Sequence, residues 1–105
     1  GVAYDATNGK LYFSKNGTWQ NSGDPTSGST GTGAISVSAS PQDGCYYFSS
    51  CGYDDASCVL QANFGNGRFG TTAVSSAGTN ASNNGVFEYD VPTGYTALCT
   101  KGLNL

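Results

Sequence analysis

Carboxylates, thiols and aromatic rings are the side chains on which chemistry in this 105-residue sequence would rest, because it contains no His. Without the commonest general base, neither a Ser-His-Asp nor a Cys-His nucleophile can be assembled. Paired carboxylates occur at Asp54-Asp55 and at Glu88 with Asp90, and a glycosidase needs two acids on facing walls. Neighbours on a strand point to opposite faces, and Asp54-Asp55 sits in a turn sequence, so that pair reads as solvated. Glu88 and Asp90 share one face of an expected strand, with Phe87 and Tyr89 on the other, and read as an outward acidic edge that discourages strand addition. Calcium takes roughly six to eight oxygens, and no D-x-D-x-D loop gathers them. The sequence therefore predicts no catalytic residue, no metal and no cofactor.

Cysteines stand at Cys45, Cys51, Cys58 and Cys99. Their spacing does not match paired C-x2-C knuckles and no His is present, which argues against structural zinc. Disulfides or buried thiols are the remaining readings. Cys51 and Cys58 flank a loop that a cross-strand bridge could close, so that pairing is expected, with Cys45 to Cys51 as the alternative and Cys45 and Cys99 otherwise free or buried. Four Cys in a small Gly-rich chain favour an oxidising location.

Binding rather than turnover is the function these residues allow. Trp19 and Tyr53 are the aromatics nearest to exposed loops, and an exposed ring can stack on a sugar or anchor a protein contact. With the adjacent Asp54 and Asp55 they form the expected binding set; the plainer reading of Trp19 is a ring folded back over the rim of the fold. Asp5 reads as a local acceptor for turn amides ahead of Asn8-Gly9. Asn16 and Asn80 lie in NGT and NAS sequons, glycan acceptors only in a eukaryotic secretory pathway and otherwise turn residues.

The elements that must position these side chains are short strands. Val2 to Tyr4 leads to Asn8-Gly9, Lys10 to Ser14 alternates Leu11 and Phe13 with Lys10, Tyr12 and Ser14, and Asn16-Gly17 follows. Two Asn-Gly pairs around an alternating run predict hairpins. Further strands are expected at Ile35 to Ala39, Cys45 to Ser49, Cys58 to Phe64 and Val86 to Val91. No apolar stripe of helical period appears. Leu11, Phe13, Val59 or Leu60, Phe64 and Phe87 form the expected core, while Tyr12, Tyr46 and Tyr47 are assigned to sheet faces. Residues 20–34 lack a large apolar side chain and are expected to form an exposed loop, as is the Gly/Ser/Asn stretch over 75–85. Sixteen Gly with many aromatic and β-branched residues fit an all-β antiparallel sandwich in a single domain over 1–105.

Charged residues make up 10% of the chain and the net charge is -3. The four cations, Lys10, Lys15, Arg68 and Lys101, are scattered, which disfavours a nucleic-acid partner. No apolar stretch approaches the roughly 20 residues of a membrane helix. The sequence begins at Gly1 and contains no Met, so a processed product or part of a longer chain is expected.

The opening run GVAYDATNGKLYFSKNG resembles the central motif of the SPRY domain family: an apolar strand, an Asp, a turn ending in Gly, and an aromatic strand closed by Lys-Asn-Gly. Farther on, LQANFGNGRF is similar to the family's later Asn-Phe-Gly strand end, and FEYDVPTGYTALCTKGLN to the tail that follows SPRY-like domains in bacteriophage virion proteins. The resemblance implies a bent two-layer, concanavalin-like sandwich that binds through its loops and performs no chemistry. In phage it implies a virion component, a tail fibre domain or a capsid decoration, contacting other virion subunits and a host surface glycan. A carbohydrate-binding lectin-like module and a peptide-binding SPRY adaptor are the rival functions. The family's early strands are absent ahead of Gly1, the 20–34 loop is longer than usual, and Arg68 stands where Pro is common. A half-domain would have an open sheet edge and a half-covered core, so an oligomer or a larger assembly is expected.

Overall fold

The computed structural model describes residues 1–38, 40–53, 57–76 and 85–98. Among them the fold is all-β, with antiparallel sheets, two single 3-10 turns and no α-helix. The first sheet is built from β1 (Val2–Asp5), β2 (Lys10–Lys15), β3 (Thr18–Trp19) and β4 (Ile35–Ser36). β2 is its centre, pairing with each of the other three strands. The second sheet is a small hairpin of β5 (Arg68–Phe69) and β6 (Thr72–Ala73).

Turn chemistry explains the first sheet. Asp5 accepts from the Asn8 backbone N–H at 3.0 Å and from Asn8 Nδ2 at 2.7 Å, which holds the turn over 6–9 and brings Asp5 opposite Lys10. The local role expected for Asp5 is therefore the one it has. Asn16 and Gly17 both adopt positive φ, 49° and 78°, the mirror-image geometry whose twist suits a two-residue hairpin.

Register then sorts the side chains onto two faces. Val2 pairs with Phe13, Tyr4 with Leu11, and Leu11 with Ile35, so these five lie on one face. Ala3 pairs with Tyr12 on the other, together with the Lys10 and Ser36 pair. The second face is the covered one: Tyr12 is 2% exposed and Ala3 is buried, whereas Val2, Phe13 and Ile35 are 50%, 45% and 54% exposed. This corrects the expectation that Leu11 and Phe13 form the core and Tyr12 an outer face.

The cover over Tyr12 comes from residues 20–34; the segment is largely exposed, as expected, but it packs, which corrects its reading as unable to do so. The segment makes two 3-10 turns, Gln20–Ser22 and Gly28–Thr30, and buries Pro25. It is stitched by its own polar groups: Asp24 N–H donates to Thr32 O at 3.0 Å, Ser27 Oγ donates to Asp24 O at 2.6 Å, and Thr32 N–H donates to Ser27 Oγ at 2.9 Å. Gly33 (φ 68°) is required where the two ends of the loop meet, because a Cβ there would lie 2.5 Å from Asn21 O and from Gly23 Cα. A compact loop that satisfies its own backbone can cover an aromatic ring without large apolar side chains.

Beyond β4 the sequence expectations hold less well. Ile35–Ser36 is the strand observed where 35–39 was expected, and Ala39 lies outside the described residues. The described residues of 40–64 contain no strand, so Cys45 to Ser49 and Cys58 to Phe64 are not strands. Their apolar side chains meet locally, with Tyr46 edge-on to Tyr4 at 5.7 Å and Phe48 edge-on to Phe64 at 5.5 Å. Val59, Leu60 and Phe64, expected as core, are exposed. Cys45, Cys51 and Cys58 are exposed free thiols, so the expected Cys51–Cys58 bridge is not formed, and neither is its Cys45–Cys51 alternative. Among the described residues of this segment there is no strand pair for a bridge to close across. Cys99 lies outside the described residues.

The second sheet is tied to the chain's last described segment by Asn63. Its Oδ1 accepts from Gly65 and Gly67 N–H at 2.8 and 3.3 Å, and its Nδ2 donates to Val86 O at 3.0 Å. Val86 forms a single parallel bridge with Asn66 in place of the strand expected over 86–91. Arg68 N–H donates to Asn66 Oδ1 at 3.1 Å, a bond that Pro at this position could not make. Glu88, expected as an outward edge charge, instead accepts from Ser75 N–H at 2.7 Å and from Ser75 Oγ. These donors hold its carboxyl below its ordinary pKa.

Candidate functional site

Concave surface in this fold lies on both sides of Pro25-Thr26, the crest of the loop that covers Tyr12. That loop forms because Asp24 precedes Pro25: Asp24 Oδ1 accepts from Thr26 N–H at 2.9 Å and Thr26 Oγ1 at 2.6 Å, an Asx turn with Pro setting the backbone of its second residue. The same two donors lower the Asp24 pKa.

On one side is a groove of about 420 Å³ whose walls include Ser14, Trp19, Asp24, Thr26, Tyr89 and Asp90. Two of its walls are rings held in place. Trp19 is half-buried and packs edge-to-face on Tyr12, with centroids 6.4 Å apart and planes at 76°. Tyr89 lies against the β2–β3 turn, so close to the Gly17 backbone that a Cβ at position 17 would stand 2.7 Å from Tyr89 Cδ1. Among the described residues no Lys or Arg lines this groove.

On the other side is a groove of about 600 Å³ that runs past Asp5, Asn8, Thr26 and Tyr95. Tyr95 bridges distant parts of the chain here, its hydroxyl donating to Pro25 O at 2.8 Å. Burial, with Asp5 nearby, pushes the Tyr95 phenol up to about 12, so it remains a donor at every physiological pH.

Of the expected binding residues, Trp19 lines a groove and packs on Tyr12, the plainer of its two readings. Tyr53 does not join it; its ring is 95% exposed and makes no ring contact among the described residues. Asp54 and Asp55 lie outside the described residues. Sequence reasoning missed Asp24, Tyr89 and Tyr95. The Asp-Pro-Thr-Ser run was a readable turn signal for the first. No local signal pointed to the other two, because their positions depend on contacts across 70 residues of chain in one case and on Gly17 in the other.

The carboxylates placed by the fold are stabilised in their charged form. Asp5, Asp24 and Glu88 each accept hydrogen bonds that stabilise the ionised form, which is the opposite of the raised pKa a general acid needs. Among the described residues no group of three His, Cys, Asp or Glu side chains could hold a metal ion, and no helix is long and apolar enough to cross a membrane. Comparison with protein-family models, with curated proteins and with solved structures finds no match.

Proposed function

We propose that this chain is a non-catalytic structural or host-contact module of a bacteriophage particle, a tail fibre domain or a capsid decoration, whose β-sandwich is completed by other polypeptide. The observation that carries this reading is the apolar face of the first sheet, formed by Val2, Tyr4, Leu11, Phe13 and Ile35, on which Val2, Phe13 and Ile35 stand about half exposed while Tyr46 packs on Tyr4. Contiguous exposed apolar surface of this kind marks an interaction site.

The matching occupant is a second antiparallel sheet. A flat face with apolar residues at alternate positions packs against another such face at about 10 Å. β1 ends the strand order on its side, so its outer edge offers backbone groups to one more strand. The SPRY-like opening run supports the same sandwich, and the likeness of the 87–104 segment to phage virion tails supports its place on a particle. The test is hydrogen exchange on purified native particles. Amides of 2–13 protected in the particle and fast in the isolated chain are expected; absence of the chain from particles would reject the proposal.

A further inference from the structure

We propose that the groove between Trp19 and Tyr89 binds a neutral saccharide. It stands apart from the assembly reading, because Trp19 pairs with Ser14 and packs on Tyr12, which places the groove on the covered side of the sheet, away from the apolar face.

The groove has what a sugar ring asks for. A saccharide presents apolar C–H patches and a rim of hydroxyls, so it is held by aromatic rings together with fixed polar groups. Trp19 and Tyr89 supply two rings whose positions are set by Tyr12 and by the Gly17 turn, so little side-chain entropy remains to be lost on binding. Tyr89 is half exposed. Asp24 supplies a carboxylate held in place by Thr26, and hydrogen bonds from sugar hydroxyls to an ionised oxygen are the strong kind. Ser14 and Thr26 add hydroxyls beside it.

Charge selects the class of sugar. Asp24 and Asp90 both line the groove, and among the described residues no Lys or Arg does, so Asp24, whose donors from Thr26 are neutral, would repel a sialylated, uronic or phosphorylated ligand. A cationic peptide is the competing ligand that two acids and two rings could attract. The saccharide is favoured because hydroxyls with both donor and acceptor capacity line the same walls.

Trp19 is the single Trp of the chain, so its fluorescence reports on this groove alone. The protein, in the oligomeric or partner-bound state in which it is isolated, is titrated with cellohexaose, maltohexaose and mannotetraose. Saturable change in Trp19 emission with at least one of them is expected, weakened about tenfold in Tyr89→Ala and in Asp24→Asn, each of which removes roughly 1.4 kcal/mol of contact. Phe13→Ala is expected to leave saccharide affinity unchanged. A sialylated oligosaccharide binding as tightly as the neutral ones, a Lys-rich peptide as the better ligand, or no saturable change with any neutral sugar would each overturn the proposal. Those failures would leave the assembly reading intact, since the sedimentation behaviour of the chain does not depend on them.

Discussion

The two faces of the first sheet carry opposite relations between composition and burial. On one, Ala3 and Tyr12 are sealed by a loop made of Gly, Ser, Thr, Asp and Pro. On the other, five apolar side chains are left in contact with solvent. Apolar character says that a residue would gain from burial at about 25 cal/mol per Å², but not which layer supplies the cover. Where a nearby segment can satisfy its own backbone and lie down on a strand, that face is covered first. The face that waits is the one whose partner is not local.

This contrast is broken most severely by Tyr12→Ala, which empties the covered side. Loss of a fully buried aromatic costs about 3 to 5 kcal/mol, and thermal denaturation is expected to show a chain largely unfolded at ambient temperature. Phe13→Ala, its neighbour in sequence, is expected to cost under about 1 kcal/mol in the isolated chain because its ring is already half exposed. Equal losses for the two would erase the distinction between the faces.

Gly33→Ala attacks the cover itself. A methyl group there meets Asn21 O and Gly23 Cα at 2.5 Å on a residue held at φ 68°, so strain and loop displacement of about 1 to 3 kcal/mol are expected. Because the loop holds Trp19 and Tyr12 together, a red shift of Trp19 emission should accompany the loss in denaturant midpoint. Gly28→Ala provides the comparison, since its left-handed φ of 57° meets no neighbour within 4 Å.

The smallest effect expected is at Asp5. Asp5→Ala removes two acceptor bonds from the β1–β2 turn and is expected to cost about 1 kcal/mol. Hydrogen bonding to Asn8 lowers the Asp5 pKa in the folded chain, so its contribution is present above the unfolded value of about 3.9 and is lost as pH falls through the folded one. The difference between wild type and Asp5→Ala in chemical denaturation should therefore shrink below about pH 4.

The sequence was legible wherever structure is local. Asn16-Gly17, Asp5 with Asn8-Gly9, and the alternation of Lys10 to Ser14 all led to the observed hairpins, because turn geometry and period-two patterning are fixed by neighbours in the chain. The choice of buried face was not legible. Alternation separates Leu11 and Phe13 from Tyr12 but does not say that Pro25 and Gly33 will close over Tyr12. The strands expected at Cys45 to Ser49 and Cys58 to Phe64 had suitable composition, yet composition alone does not bring a segment into register beside a sheet edge, and neither segment pairs with one. The groove was half legible: Trp19 stood out as the single Trp beside a loop, whereas Tyr89 enters only through the space left by Gly17.

The central claim is that the face carrying Val2, Tyr4, Leu11, Phe13 and Ile35 is an interface. Sedimentation of the purified chain at micromolar concentration, beside a Phe13→Asp variant, tests it most directly. The expected result is a self-associated or partner-bound wild type and a variant reduced to monomer that still keeps its Tyr12 to Trp19 packing, read from Trp19 emission. A wild type that is monomeric, unfolds cooperatively and protects the amides of 2–13 from exchange would contradict it.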